Sequence, residues 1–354
     1  MPDDRRGRGV DPTAVLIAAG AGAVGAWFWF RNRQPEQPAV SPLSDTMNGR
    51  VCVVTGANTG IGKATATALA RQGARVVLGC RSTAKGDAAC EDIRKKVLGA
   101  KVQTLQLHLE SFDSVRDFVK RFRATGLPLH VLVNNAGLMV KKQETVLGME
   151  KTIVINQLGP FLLTNLLLPD LQKNAARERA SRIVNVSSRL EKNGSLTAMK
   201  AGIPPGTAWF HPPSEGEHSM WKQYGTSKLC NLLSTFELNR RLADKGMGPG
   251  AASGKGSVTV NAVTPGVVSS DLGRNMFGEW LFWAMKPLLS LVMRNVDKGA
   301  ETVVWAASSP DVEGEGGKFF GDLKETPCSE TAMDEELARK LWEACEIATG
   351  FKGE

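Results

Sequence analysis

The 354-residue sequence predicts an α/β protein: a doubly wound parallel sheet with helices on both faces, in a single domain, behind one N-terminal transmembrane helix. Three observations predict it. From residue 48 onward, short continuous apolar runs alternate with longer helical segments, as parallel strands covered on both faces and their crossover helices do. The first of these runs ends in a glycine-punctuated turn that opens a helix. Far upstream, residues 13–30 ("TAVLIAAGAGAVGAWFWF") carry no charge between two charged flanks.

The N-terminal run comes first in the chain. As a helix, eighteen residues reach about 27 Å, the thickness of a thin hydrocarbon core. The cluster Trp27–Phe30 followed by Arg31 and Arg33 suits a membrane–water boundary. A cleaved signal would end in small residues, and a transit peptide would lack Asp3, Asp4 and Asp11. Residues 1–33 therefore read as a membrane anchor, 34–47 ("QPEQPAVSPLSDTM") as a linker and 48–354 as the catalytic domain; a loosely packed Ala/Gly tail is the alternative. Counting arginines around the run puts the N-terminus in the cytosol and the domain on the other side. The free thiols put the domain on a reducing face. The topology stays open between them.

Composition narrows the class. Hydrophobic content of 42% and charged content of 23% are ordinary for a globular protein. The formal charge of +8 is scattered in clusters such as "RKK" (94–96) and "VKK" (140–142), with no long basic run, so no nucleic-acid partner is expected. The six cysteines, at 52, 80, 90, 230, 328 and 345, form no CxxC and have no histidine at metal spacing. Neither a disulfide framework nor a metal site is expected.

Within the domain, residues 50–82 give strand, turn, helix and strand. "KVQTLQLHL" (101–109) then reads as strand, "SVRDFVKRF" as helix and "LHVLVNNAG" (129–137) as strand. A helix through "TNLLLPDL", a strand "RIVNVSS" (182–188), a helix from Tyr224 through Leu242 and a strand "VTVNAV" come next. Such sheets bind ligands outside the carboxyl ends of their strands. The turn Gly56-Ala57-Asn58-Thr59-Gly60-Ile61-Gly62 lets backbone approach a pyrophosphate at a helix N-terminus, although its GxxxGxG spacing departs from GxGxxG. Arg81, at the end of the second strand, stands where an acid would bind the ribose hydroxyls of NAD. Its planar donors suit a 2′-phosphate and favour NADP(H); a plain surface arginine is the alternative.

Tyr224 is the only tyrosine in a chain with 8 tryptophans and 13 phenylalanines. Lys228 stands one helical turn further on, on the same face. A free phenol, with a pKa of about 10, is a poor base at neutral pH, and a nearby ammonium favours the phenolate. The pair reads as a tuned general acid/base. Ser188 ends a parallel strand, and Asn156 stands in "INQLG".

Together TGANTGIG (55–62), NNAG (134–137), Asn156, Ser188, the Tyr224-Gly-Thr-Ser-Lys228 run and Pro265-Gly266 resemble the short-chain dehydrogenase/reductase family. "TGANTGIGK", "CRS", "SKLCN" and the tail "GKFFGDL…DEELARKLWE" look like the retinol dehydrogenase group within it. The resemblance implies a Rossmann-like fold and reversible hydride transfer between NADP(H) and a lipophilic aldehyde or ketone and its alcohol. It gives Tyr224 proton transfer and Lys228 the phenol's pKa and the nicotinamide ribose. Ser188 would polarise the carbonyl, and Asn156 would help hold a relay water. Cofactor contacts are implied at Gly56, Asn58, Thr59, Gly60, Ile61, Gly62, Arg81, His108, Asn135, Ala136, Gly137, Tyr224, Lys228, Pro265, Gly266 and Val268. It also implies an endoplasmic-reticulum or other organelle membrane and leaves the oligomeric state open, a homodimer included.

Some positions depart from the family pattern. His108 replaces the usual aspartate beside the adenine, and Ser270 is the nearest match for the threonine after Pro-Gly. Ser187 competes with Ser188 for the catalytic place. The long 189–220 interval reads as a surface loop with His211 and His218 as bystanders, and 246–256 as a flexible insertion. Residues 275–293, dense in Met, Phe and Trp, read either as a core helix or as a lid over an apolar substrate pocket. Two other functions compete: reduction of a pigment precursor, and a non-catalytic NADP-sensing adaptor of a membrane complex. The intact Ser–Tyr–Lys set argues against the adaptor.

Overall fold

The apolar runs become strands in a computed structural model that describes residues 46–175, 179–196, 204, 206–214, 216–249, 257–266 and 295–352. The anchor, residues 34–45 of the linker, Val268, Ser270, the 275–293 segment and much of the 189–220 and 246–256 stretches lie outside the described residues. The chain divides into Met1–Ser41 and Pro42–Glu354, and the sheet and its helices belong to the second unit.

Its main strands are β1 (Val51–Thr55), β2 (Arg75–Cys80), β3 (Lys101–Gln106), β4 (Val131–Asn134), β7 (Ser181–Val186), β8 (Val258–Thr264), β9 (Phe319–Gly321) and β10 (Lys324–Glu325). A separate hairpin, β5 (Thr145–Val146) and β6 (Met149–Glu150), lies between β4 and β7 in the chain. The sheet order is β10-β9-β8-β7-β4-β1-β2-β3. All its pairs are parallel except β9–β10, so the expected all-parallel sheet is corrected at one edge. Asp322 and Leu323 make that reversal at φ 56° and 59°. The third strand also stops sooner than expected, at Gln106: His108 N donates to Ser114 Oγ (3.1 Å), which turns the chain toward the next helix.

The described helices are α1 (Gly60–Arg71), α2 (Thr83–Lys96), α3 (Phe112–Ala124), α4 (Lys151–Asn174), α5 (Met220–Asp244), α6 (Val296–Ser308) and α7 (Glu335–Thr349). Side-chain caps fix several starts: Ser111 accepts from Ser114 N, Ser219 from Lys222 N and Asp334 from Leu337 N. Strand alternation splits the core in two. Val51 and Val53 of β1 join Phe118, Phe122, Leu162 and Leu232 from α3, α4 and α5. Cys52 and Val54 point the other way, to Leu69, Ile93 and Val303 of α1, α2 and α6. The two layers cover both faces of the sheet.

Helix α4 is long and apolar enough to cross a membrane, yet 83% of its most apolar window is buried in the protein, as in a core helix. Its regularity breaks at Val154–Leu158, where one π turn interrupts the α-helix. Such turns carry an extra residue and recur at functional sites.

At the amino ends of the strands, Arg182 is closely partnered, while Arg50 has a buried Nε with no partner among the described residues. Arg182 donates to Ala306 O (3.2 Å), Ser309 O (2.8 Å) and Glu313 Oε2 (2.6 Å). Arg50 donates to Ala180 O at 2.6 Å. His130 accepts from Val51 N through Nδ1 (3.0 Å), and burial, helped by Arg50 and Arg179, lowers its pKa to about 4.

Candidate active site

Strand order reverses direction between β1 and β4: the chain runs from β1 outward to β3, then returns to β4 and proceeds the other way. Ligands bind such a switch point, at the carboxyl ends. Thr55 closes β1 there. Its buried hydroxyl accepts from Asn135 N and Ala136 N, both at 3.0 Å, and Asn135 Nδ2 donates to Thr55 O (2.9 Å). One threonine thus ties the glycine turn to the NNAG loop.

Backbone packs tightly in that turn. Gly56 has φ 65°, and a Cβ on it would lie 3.0 Å from Ala136 Cα. A Cβ on Gly62 would collide with Asn135 Nδ2 and lie 2.5 Å from Gly56 O. Gly60, at φ 55°, opens α1. Thr59 at its N-cap provides no side-chain cap, and its first turn contains no acid, so the helix presents backbone N–H groups without a fixed anion. Asn58 and Ile61 are half-buried in the same turn. This cradle of small residues and uncapped N–H groups could hold a pyrophosphate.

Arg81 stands just past β2, exposed and with no carboxylate partner among the described residues. Its carbonyl accepts from Gln106 Nε2 (3.4 Å), and the next residue, Ser82, caps α2. His108 lies in the loop after β3, with Nδ1 3.7 Å from Glu110 Oε1. Pro265-Gly266 leaves β8 through a positive φ of 75° at Gly266, whose N donates to Thr264 Oγ1 (3.4 Å).

Helix α5 brings Tyr224 and Lys228 to the same edge. Both are buried, at 8% and 3% exposure, with Lys228 Nζ 5.4 Å from the tyrosine ring centre. Lys228 Nζ donates to Val186 O (2.7 Å) at the end of β7 and to Asn231 Oδ1 (3.4 Å). The phenol oxygen has no hydrogen-bond partner among the described residues. Burial alone lowers the ammonium's pKa to about 8 and raises that of the phenol. The expected lysine-lowered phenol is therefore corrected for the unliganded pocket: desolvation outweighs the neighbouring charge.

Asn156 sits in the π turn, 2% exposed. Its Oδ1 accepts from Leu138 N, and its Nδ2 donates to Leu138 O (2.9 Å each) and to Ser227 Oγ (3.0 Å). Its backbone O accepts from Asn231 Nδ2 at 2.8 Å. Gly137 packs into this group: a Cβ there would lie 3.4 Å from Asn156 Oδ1 and 3.5 Å from Lys228 Nζ.

The two serines after β7 differ. Ser187, buried, donates its hydroxyl proton to Lys228 O (2.9 Å). Ser188 caps a short turn, accepting from Leu190 N at 3.2 Å, which leaves its proton free to donate. His211 is exposed, while His218 has a ring contact through Nε2 with Val140 O (3.1 Å). Sequence reasoning passed over Asn231 and Ser227, although both stand in or beside the Tyr-Lys run, at helical spacings that bring them to the π turn.

The fold and the side chains at the switch point define a dinucleotide-dependent oxidoreductase. The short chain dehydrogenase family matches residues 50–200. The chain is 36% identical to Retinol dehydrogenase 14 of Homo sapiens over 96% of its own length and 98% of that protein. It is 37% identical to Polyprenol dehydrogenase of Mus musculus, over 98% and 96% respectively. The chain belongs to the short-chain dehydrogenase family, oxidoreductases of CH–OH and C=O groups that use a nicotinamide cofactor. Among solved structures, an uncharacterized protein from Mycobacterium paratuberculosis superposes with TM-score 0.66 at 30% identity, over 90% of this chain and 99% of that one. A short chain dehydrogenase of Escherichia coli CFT073 complexed with NADPH shares the fold, with TM-score 0.57 at 21% identity over 78% of this chain and 98% of its own.

Proposed function

We propose that the protein is an NADP(H)-dependent reductase or dehydrogenase of a lipophilic carbonyl/alcohol pair, of the retinal/retinol or polyprenol kind, held at a membrane by residues 13–30. The observation that carries this reading is the buried Tyr224–Lys228 pair at the carboxyl edge of the sheet, its phenol unpartnered among the described residues and its ammonium fixed on Val186 O. The names of the relatives support the substrate class, and the apolar run supports the membrane.

Each residue then has a task. The Gly56–Gly62 turn and the N-terminus of α1 hold the pyrophosphate, and Arg81 holds a 2′-phosphate with its unpaired guanidinium. His108, Asn135, Ala136, Gly137, Pro265 and Gly266 line the rest of the dinucleotide site, to which the family resemblance adds Val268. The bound cofactor supplies or accepts the hydride at the carbonyl carbon. Ser188 donates a hydrogen bond to the carbonyl oxygen, as its free proton allows. Tyr224 gives that oxygen its proton in reduction and removes it in oxidation. Lys228 holds the ribose and stabilises the phenolate once the proton has left; Asn156 holds the π turn against Leu138 and Ser227.

The test monitors NADPH and NADH oxidation at 340 nm by the full chain in detergent, with all-trans-retinal, a polyprenal and a panel of short aldehydes. Turnover with NADPH that rises with substrate apolarity is expected. Tight NADPH binding without turnover of any carbonyl would overturn the catalytic reading in favour of the sensing adaptor.

A further inference from the structure

One buried side chain beside the acid/base pair has no task in the proposed reaction. Asn231 lies one turn beyond Lys228 on α5, 8% exposed. Its Nδ2 donates to the backbone O of Asn156 (2.8 Å) and to Gln157 Oε1 (2.9 Å). Its Oδ1 accepts from Lys228 Nζ (3.4 Å). The orientation of the amide is settled by its neighbours: a backbone carbonyl accepts only and an ammonium donates only. Gln157 Nε2 continues the network to Ser234 Oγ (2.6 Å), on the next turn of α5.

We infer that Asn231 is a positioning residue that holds the Lys228 ammonium in place and joins it to the π turn of Asn156. This inference rests on the reading of Tyr224 and Lys228 as the acid/base pair. An ammonium has three protons. Val186 O and Asn231 Oδ1 take two from the side of β7 and the core, which leaves the third for the side of Gly137, where the NNAG loop meets the site. Because Asn231 is neutral, it orients the ammonium without neutralising it. A carboxylate in its place would form a buried ion pair and stop Lys228 from responding to Tyr224.

The groups facing Lys228 make the assignment testable by titration. Its own helix offers the phenol of Tyr224 and the amide of Asn231. Strand β7 and the residue after it offer the Val186 carbonyl and the Ser187 hydroxyl, the π turn offers Asn156 and Gln157, and the loop after β4 offers Gly137. Tyr224 is the one titratable group among them, so a new charge at 231 has no competing neighbour except the phenol.

The experiment is titration of Lys228 in full-length protein carrying 13Cε-lysine, with the resonance assigned by Lys228→Arg, alongside kcat and KM against pH. Asn231→Asp keeps the acceptor and adds a charge; it is expected to raise the Lys228 midpoint by about one unit or more. Asn231→Ala removes the acceptor; it is expected to lower that midpoint and to reduce kcat about tenfold, with KM for NADPH within about twofold. Asn231→Ala carries the test if the aspartate variant does not fold. A Lys228 titration in Asn231→Ala that superimposes on wild type would overturn the inference, since a residue that only packs would leave it unmoved. If wild-type protein turns over no carbonyl while Asn231→Ala still shifts the lysine, the functional reading fails and the positioning role stands.

Discussion

The two ends of the central sheet both bury positive charge, and they treat it in opposite ways. At the amino edge, Arg182 meets two carbonyls and the carboxylate of Glu313, and Arg50 is drawn against Ala180 O. At the carboxyl edge, among the described residues, Lys228 has a carbonyl and a neutral amide but no counter-ion, and the phenol beside it has no partner. Arg182 thus sits against an opposite charge, whereas Arg50 keeps a buried Nε with no partner among the described residues. A buried lysine without a counter-charge is held near its titration range, with a pKa of about 8. The difference teaches where a buried cation can work: at the carboxyl edge, beside a phenol that can exchange a proton with a ligand, and not wherever a positive charge is buried.

The comparison can be broken most forcefully at the phenol. Tyr224→Phe is expected to lower turnover at least about a hundredfold, as loss of a general acid does, while NADPH affinity and unfolding free energy stay near wild type. Retained turnover, measured at 340 nm, would remove the working cation from the comparison. At the other edge, Glu313→Gln leaves Arg182 buried without its carboxylate and is expected to cost about 3 kcal/mol in urea unfolding while turnover per folded molecule is kept. An unchanged midpoint would show that the carbonyls alone satisfy that arginine.

Arg81→Ala sharpens the carboxyl edge further. It is expected to weaken NADPH by about tenfold and NADH hardly at all, about 1.4 kcal/mol, read by fluorescence titration of both cofactors. Equal losses would refute a 2′-phosphate role. The smallest effect belongs to His130. Its folded pKa of about 4 lies below the ordinary 6.5, so the unfolded chain takes up the proton first on acidification. Stability is thus full above pH 6.5 and lost as pH falls toward 4, by about 1 kcal/mol after discounting for its partial exposure. His130→Asn, which can still accept from Val51 N, is expected to flatten that slope in thermal melts. A slope that persists would assign the acid sensitivity elsewhere.

Much of this was legible in the residues. Strands β1, β2, β4, β7 and β8 sit where continuous apolar runs put them, because two covered faces demand apolar residues at every position. The antiparallel edge was not legible: β9 and β10 span three and two residues, and their turn puts Asp322 and Leu323, two side chains that rarely adopt it, at positive φ. In the site, Tyr224 and Lys228 could be read from their spacing and Ser188 from the family pattern, but the bond that ties Ser187 to the Lys228 carbonyl could not. Asn231 stayed hidden because its partners come from the π turn of another helix, and no local pattern signals an extra residue inside a helix.

That extra residue has a consequence for protein engineering. A one-residue deletion within 154–158 would restore regular i→i−4 bonding along α4 and could be scored as an improvement in helicity. It would also turn the preceding segment by about 100° relative to the rest and move Asn156 off Leu138 and Ser227. Length variation in this helix is thus a case where a better secondary structure makes a worse enzyme.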